Sequence, residues 1–241
     1  NTGINSIDVS NNSLLKVLNV NNNQFTALDI SPYPNIVQLR AINNQLTVLN
    51  IANGNNTNFT WFDVTDNSNL RCIEVDDVGI NFNSGFWNKD ASASYTLYCE
   101  LTYIADAKFE NYLETHDKDG NLVNLGNITS LGNGIADDNQ VATSKIKNVL
   151  TLNVASQNIA DLTGIEAFIS LESLNCDYND LTTLNLSSNV NLKILNAAEN
   201  DFESLYFTNY IALEEVNLRS NSIASLLVNN NPNLKKLNIG K

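Results

Sequence analysis

The sequence lacks residues on which many enzymes and nucleic-acid-binding proteins depend. It has no methionine, one histidine, and 13 Lys and Arg against 26 Asp and Glu, which gives a formal net charge of −13. Neutralising phosphates requires clustered basic side chains, so this composition argues against a nucleic-acid partner. It also argues against docking on an anionic lipid surface. No apolar run approaches the roughly eighteen residues that cross a bilayer, so no membrane insertion is predicted.

What the sequence has instead is a strict period. Consecutive stretches that begin at Leu171, Leu192 and Leu213 are each 21 residues long and share the frame L-x-x-L-x-L-x-x-N-x-L-x-x-L. The L-x-L part alternates in and out like a strand. The asparagine can turn the chain and bond open backbone groups of the adjoining coil. One coil cannot bury its own apolar face, whereas stacked coils bury a continuous core.

This frame is that of a leucine-rich repeat. We therefore predict an α/β solenoid of right-handed leucine-rich repeat coils of about 21 residues, with a parallel sheet on the concave face. The convex side should be largely irregular, with one short cap helix. The inward slots Leu174, Leu195, Val216 and Leu237 should be almost inaccessible to solvent. Parallel strands are predicted at residues 17–21, 38–42, 152–155, 174–177, 195–198 and 216–219.

The same frame occurs near the start of the chain. Residues 15–35 and 36–56 are two further copies, and residues 1–13 match the back half of a coil. Residues 46–69 are too irregular to be placed in register, and residues 70–148 break the period.

Two domains follow from this interruption. An exposed solenoid end must be covered by atypical sequence, so the interruption is interpreted as two caps. The first repeat block is predicted to end within residues 1–102, with its C-terminal cap at 70–102. The second block is predicted at residues 103–241, with an N-terminal cap at 103–148 and coils at 149–241.

The cysteines and the cap sequence permit two local predictions. Cys72 and Cys99 enclose an atypical, aromatic-rich segment, and we predict a disulfide between them if the protein is exported; two free thiols are the alternative. Cys176 occupies an inward slot and is predicted to be reduced and buried. In "YIADAKFENYLETHDKDG", Asp106 is a candidate N-cap of a helix that Gly120 would stop.

These segments also carry a family likeness. "CIEVDDVGI", "KFENYLETHDKDGNLVNLGNITSLGNGIADDNQV" and "SQNIADLTGIEAFISLESLNC" resemble secreted leucine-rich repeat proteins of marine Bacteroidota, and "NIADLTGI" is similar to turns of internalin-like repeats. The likeness covers nearly the whole chain. It implies a protein that is secreted or displayed on the bacterial cell surface, and it offers no catalytic residues.

Catalytic and metal chemistry has few candidates. His116, the single histidine, lies in the polar stretch "ETHDKDGN" and is predicted to be a solvated surface residue. Asp117, Asp119 and Asn121 hint at a calcium loop, but Gly126 stands where an EF-hand needs glutamate. A helix-terminal turn is therefore the favoured interpretation. We predict no enzyme activity and no cofactor.

A binding surface is the remaining candidate. In successive coils an asparagine stands between the two inward positions of the strand and should point outward on the concave face. Amides can bond protein backbone or sugar hydroxyls, although asparagine could also merely tolerate the strand surface in an Asn-rich chain. The predicted binding residues are Asn153, Asn175, Asp177, Asn196, Asn217, Arg219 and Asn238, and Asn19 holds the same slot in the first block.

Two functions fit this sequence. The first is an extracellular recognition or adhesion module that binds a protein or polysaccharide ligand through the concave face. The second is a structural stalk or fibre-forming tandem array without a dedicated ligand. Because the chain starts at Asn1 and stops at Lys241 on raw coil edges, we expect it to be cut from a longer polypeptide. End-to-end continuation or self-assembly of repeat blocks is the bolder hypothesis.

Overall fold

The computed structural model describes residues 3–9, 11–82 and 85–240. It divides into two compact units, Asn1–Cys99 and Glu100–Lys241, here called the first and second units. The expectations about Asn1 and Lys241 themselves lie outside the described residues, and the predicted domain roles stay a prediction. None of the helices formed by the described residues is long and apolar enough to cross a membrane.

The first unit is built from two parallel sheets, in which neighbouring strands come from successive coils. Sheet A contains Val17–Asn19, Gln38–Arg40, Trp61–Asp63 and Trp87–Asn88. Sheet B contains Ala27–Asp29, Val48–Asn50, Cys72–Glu74 and Ser94–Thr96. Gln38 pairs with Trp61, beyond the regular step, and the 3-10 turn Asn56–Asn58 lies in this longer coil. This insertion explains why the register of residues 46–69 is not readable from the frame.

The second unit has a cap followed by coils. The antiparallel strands Leu101–Tyr103 and Gln140–Ala142 and the helices Ala107–Thr115 and Thr143–Ile146 form the cap. Sheet C is parallel and contains Thr151–Asn153, Ser173–Asn175, Ile194–Asn196, Glu215–Asn217 and Lys236–Asn238. Sheet D is parallel and contains Ser204–Tyr206 and Ser225–Leu227, and a 3-10 turn covers Ile165–Ala167.

The predicted solenoid of parallel leucine-rich repeat coils is confirmed, with two refinements. The four strands of sheet C that were predicted have three residues each and begin one residue before the predicted start. Pairing continues beyond the strand ends, since the Val154 N–H donates to the Asn175 carbonyl at 2.8 Å. The side of the coils that was expected to be irregular carries sheets B and D. The coils have a second pair of apolar side chains there, such as Leu28 and Ile30, that alternate along the strand segment and point into the core.

A ladder of asparagines joins successive coils. The side-chain amide of Asn179 donates to the carbonyl oxygens of Val154 in the preceding coil and Cys176 in its own, at 2.9 and 3.1 Å. Its Oδ1 accepts the Ile159 N–H at 2.9 Å. The frame asparagine therefore satisfies backbone groups that the coil would otherwise bury unpaired, as the sequence indicated. The equivalent ladder asparagines are Asn44, Asn67, Asn179, Asn200 and Asn221.

The residue before each ladder asparagine turns the chain sharply. Tyr178, Glu199 and Ser220 have φ values of 53°, 52° and 55°, in the left-handed region that costs non-glycine residues about 1 kcal/mol. The ladder bonds on the next residue hold this conformation. One result is that Tyr178 lies 55% exposed at the end of its strand segment in sheet C.

Separate apolar cores fill the two units. Leu174, Leu195 and Val216 are at most 2% exposed, as predicted. The prediction for Leu237 is wrong, because this side chain is 41% exposed. Its strand is the edge of sheet C and, among the described strands, pairs on one side only.

The cap helix begins where the sequence indicated. Asp106 Oδ1 accepts the N–H groups of Lys108 and Phe109 at 2.8 and 3.1 Å, which is an N-cap. Asp106 Oδ2 also accepts the Ala160 N–H at 2.8 Å. One carboxylate thereby starts the helix and ties it to the first coil of the second unit.

The end of the helix differs from the prediction. It stops at Thr115 and not at Gly120. The following residues are extended, and His116 forms an antiparallel bridge with Leu122. Gly120, at φ +81°, supplies the turn between these bridged residues.

Candidate binding face

The predicted binding asparagines lie together on sheet C. They occupy the last position of the five strands and pair in register: Asn153, Asn175, Asn196, Asn217 and Asn238. Leu174 and Cys176, on either side of Asn175, are buried, so the amides face outward. Strands lie about 4.8 Å apart, so this asparagine row extends over about 19 Å.

Most amides of the row also have a local structural partner. Oδ1 of Asn175 accepts the N–H of Asp177, and Oδ1 of Asn217 accepts the N–H of Arg219, each at 3.2 Å. Asn153 and Asn238 make the same bond to the residue two positions on. This bond turns the chain at the end of the strand. The recurrence of asparagine therefore has a structural cause that is independent of any ligand.

Hydrogen bonds also run along the centre of the row. Asn217 Nδ2 donates to Asn196 Oδ1 at 2.8 Å, and Asn196 Nδ2 donates to Asp177 Oδ2 at 2.9 Å. Arg219 forms an ion pair with Glu199 at 3.0 Å. Because a side-chain amide carries two N–H groups, Asn196 and Asn217 each keep a second donor. The row thus presents ordered donors on an open surface.

The first position of each strand faces outward too, and the sequence interpretation missed it. Ile194 is 45% exposed, and Glu215 and Lys236 form an ion pair at 2.7 Å. Tyr178 lies exposed beside Asp177 at the other end of the strand segment. The signal is present in the sequence, because these first-position residues precede an inward residue and alternation directs them outward.

Sheet A presents a comparable outward face in the first unit. Trp61 is 42% exposed, and Val17, in the first strand of the sheet, is 49% exposed. The guanidinium carbon of Arg40 lies 4.7 Å from the Trp61 ring centre. None of these three residues was singled out from the sequence.

The cysteines behave as the sequence predicted. Cys72 and Cys99 form a disulfide with a Cα–Cα distance of 5.7 Å, while Cys176 is free and fully buried. Burial raises the pKa of the Cys176 thiol to about 12. The thiol is therefore protonated at neutral pH, which does not suit a nucleophile.

The weak calcium candidates form a turn. The Asp117 carboxylate accepts the backbone N–H groups of Asp119 and Asn121 at 3.0 and 2.8 Å and the Asn121 side-chain amide at 3.1 Å. The side-chain and backbone bonds from Asn121 lower the pKa of Asp117. Within residues 3–9, 11–82 and 85–240, no group of three or more His, Cys, Asp or Glu side chains is placed to hold a metal ion.

His116 is not the solvated residue that the sequence suggested. Its ring stacks on Tyr112 with centres 4.0 Å apart, and its Nδ1 lies 3.0 Å from the Tyr112 carbonyl oxygen. The side chain is half-buried. It packs over the end of the cap helix.

Two carboxylates of the cap helix are buried against backbone N–H groups. Glu114 accepts those of Asn133 and Gly134 at 2.6 and 2.8 Å, and Glu110 Oε1 accepts that of Asp138 at 3.0 Å. Glu110 Oε2 has no hydrogen-bond partner in the part of the chain that is described. Burial raises the pKa of both carboxyls, and the neighbouring Asp138 carboxylate raises that of Glu110 further.

Comparisons with known proteins give distant structural similarities. The internalin InlF from Listeria monocytogenes is 14% identical, with 95% of this chain and 81% of that protein covered at a TM-score of 0.28. The functional domain of InlJ from Listeria monocytogenes, described as including a cysteine ladder, is 18% identical at a TM-score of 0.25. That match covers 97% of this chain, which spans 55% of the InlJ domain. No protein-family model and no curated protein matches the sequence.

Proposed function

We propose that this protein is a recognition module that binds a partner protein through the outward faces of its parallel sheets. Parallel sheets are normally covered on both faces, whereas sheets A and C keep exposed side chains on one. The observation that supports the proposal best is the mixture on sheet C. Apolar Ile194 and aromatic Tyr178 lie exposed near an ordered row of amides. Such mixtures of apolar, aromatic and hydrogen-bonding groups are typical of protein interfaces.

We further propose that the module is secreted or displayed on the cell surface. The Cys72–Cys99 disulfide supports this, because disulfides persist mainly in oxidising compartments. A polysaccharide ligand, self-assembly and a stalk without a ligand stay predictions from the sequence.

The face is tested by screening first and substituting second. The purified, fluorescently labelled protein is applied to a protein microarray and to a glycan array, and its strongest ligand is kept. Ile194→Lys then places a charge on sheet C without removing an amide. Ile211→Lys is the matched control, because Ile211 is 66% exposed and lies in a turn outside the strands.

We expect Ile194→Lys to weaken binding by roughly tenfold or more, as for a residue central to an interface. The Ile211→Lys variant should bind like the unsubstituted protein. Equal affinity of the two variants would contradict binding through sheet C, and a ligand found only on the glycan array would contradict the choice of a protein partner.

A further inference from the structure

We propose that Arg40 and Trp61 form an anchor on sheet A that receives an acidic side chain of the partner protein. This inference rests on the proposed function and names the chemistry of one contact. The Arg40–Trp61 pair lies in the first unit, and neither residue is among those that the sequence suggested for binding.

The backbone directs both side chains to the same open face. Arg40 is the last residue of its strand, and Trp61 is the first residue of the neighbouring strand. Leu39 and Phe62, the middle residues of these strands, are fully buried. Because side chains alternate along a strand, Arg40 and Trp61 point away from the core. They meet there with the guanidinium 4.7 Å from the ring centre.

Among the described residues, no acceptor bonds the guanidinium of Arg40. Its Nε is buried without a hydrogen-bond partner among the described residues. Asp63 is the register neighbour of Arg40 in the next strand, and one of its carboxylate oxygens is already engaged by a neighbouring residue. Its Oδ1 accepts both the N–H and the hydroxyl of Thr65, at 3.2 and 2.8 Å. The described residues form no ion pair between Arg40 and Asp63. The guanidinium is therefore partly buried and makes no ion pair with the described residues.

A carboxylate is the group that fits this arrangement best. The ring of Trp61 favours a cation over its face and restrains the guanidinium. A guanidinium held in this way can bind a carboxylate through the N–H groups of its two terminal nitrogens, with less loss of side-chain freedom than a mobile arginine. The restrained Arg40 thus presents a site for Asp or Glu.

The surroundings favour a protein as the source of that carboxylate. Val17 is 49% exposed on the same sheet, so an aliphatic side chain of the partner can pack beside the charged contact. Tryptophan and arginine are the residues most enriched among those that dominate protein interfaces. The net charge of −13 opposes long-range attraction of an acidic partner, but salt screens charges beyond about 8 Å under physiological conditions. The local guanidinium therefore decides the contact.

The probe for this anchor is a phage-displayed library of random peptides, selected on the immobilised full chain and counter-selected on Arg40→Gln. The recovered peptides are then synthesised in two forms, one acidic and one with each Asp or Glu replaced by Asn or Gln. Arg71→Gln is the matched control. It removes the same charge from the first unit, at an exposed arginine whose side chain donates to the carbonyl oxygens of Ser68 and Leu70.

We expect selected peptides to carry Asp or Glu next to an aliphatic residue. Arg40→Gln should weaken the acidic form by roughly tenfold, Trp61→Ala by a similar factor, and Arg71→Gln by much less. The amide form should bind weakly to every variant and be insensitive to Arg40→Gln. Arg40→Lys, which keeps the charge without the fork, should restore only part of the affinity.

The proposal is overturned if the selected peptides lack acidic residues, or if they bind Arg40→Gln as tightly as the unsubstituted chain. A library that yields no peptide able to discriminate these two proteins overturns it as well. If the peptides bind the Ile194→Lys variant more weakly than the unsubstituted chain but bind Arg40→Gln equally well, recognition through sheet C is supported and the Arg40–Trp61 anchor is contradicted.

Discussion

Replacing the ladder asparagine Asn200 by alanine should destabilise the second unit far more than its small loss of volume implies. Asn200 is 6% exposed, and its Oδ1 accepts the Leu181 N–H at 3.0 Å. Its Nδ2 donates to the carbonyl oxygens of Cys176 and Ala198, each at 3.0 Å. Those carbonyls keep a second donor, from Asn179 Nδ2 and from the Tyr178 N–H. Among the described residues, the Leu181 N–H has no such second partner.

The expected cost follows from these bonds. A buried, unpaired N–H costs about 1–3 kcal/mol, and each lost second bond on a carbonyl costs about 0.5–1 kcal/mol. We therefore expect Asn200→Ala to lower the free energy of unfolding by about 2–5 kcal/mol. Asn200→Asp keeps the acceptor for Leu181 but directs a second oxygen at two carbonyls. At neutral pH it should be at least as destabilising as alanine.

Urea unfolding followed by far-UV circular dichroism measures this change. Asn191→Ala is the control, because exposed Asn191 makes one bond, to the Ile169 carbonyl at 3.1 Å, and should cost about 1 kcal/mol or less. If Asn200→Ala costs no more than Asn191→Ala, or if Asn200→Asp is as stable as the unsubstituted protein, the ladder does not hold the coils in the way argued above.

Three further predictions concern the core, the cap and the cysteines. Leu195→Ala should cost about 2–5 kcal/mol in urea unfolding, whereas Leu237→Ala, at a 41% exposed edge position, should cost about 1 kcal/mol; equal costs would contradict the burial. The pKa of Glu110 is higher in the folded protein than in the unfolded chain, so the protonated carboxyl stabilises the fold. This stabilisation is complete below the ordinary carboxyl pKa and is lost as the pH rises through the folded-state pKa. Glu110→Gln should therefore raise stability at pH 7 by about 1 kcal/mol and remove that pH dependence; an unchanged profile would count against the buried charge. Alkylation under denaturing, non-reducing conditions followed by mass spectrometry should label Cys176 alone; labelled Cys72 or Cys99 would refute the disulfide.

The fold could be predicted well because a fixed step decides which residues stack. Leu174, Leu195 and Val216 recur at the 21-residue step, and a side chain repeated at that step meets its own equivalent in the next coil. The ladder role of Asn179 follows from the same argument. The exposure of residues at the edge of a sheet cannot be predicted in this way. The exposure of Leu237 depends on what pairs with its strand and not on its position in the repeat frame.

The binding face was harder to predict, for two physical reasons. Asparagine recurs at Asn175 and Asn217 because its side chain bonds the backbone of the following turn, as well as because the position faces outward. The repeat frame alone therefore does not tell whether such a residue has a structural role or contacts a ligand. Trp61, which contacts Arg40, lies within the irregular stretch 46–69. Placing Trp61 beside Arg40 requires knowing how many extra residues that coil contains. The repeat frame does not give this number once the spacing departs from 21 residues.

The most direct test of this account is hydrogen exchange of the asparagine side-chain amides, measured by nuclear magnetic resonance on labelled protein. These asparagines fall into a buried ladder that joins coils and an outward row that is open to a partner. Nδ2 protons of Asn179 and Asn200 should exchange only upon opening of the coils, so they should be strongly protected. Those of Asn153 and Asn175, on the outer face, should exchange close to the rate of a free amide. Fast exchange at Asn179 and Asn200, or strong protection at Asn153 and Asn175 in the free protein, would contradict the division on which the proposed function depends.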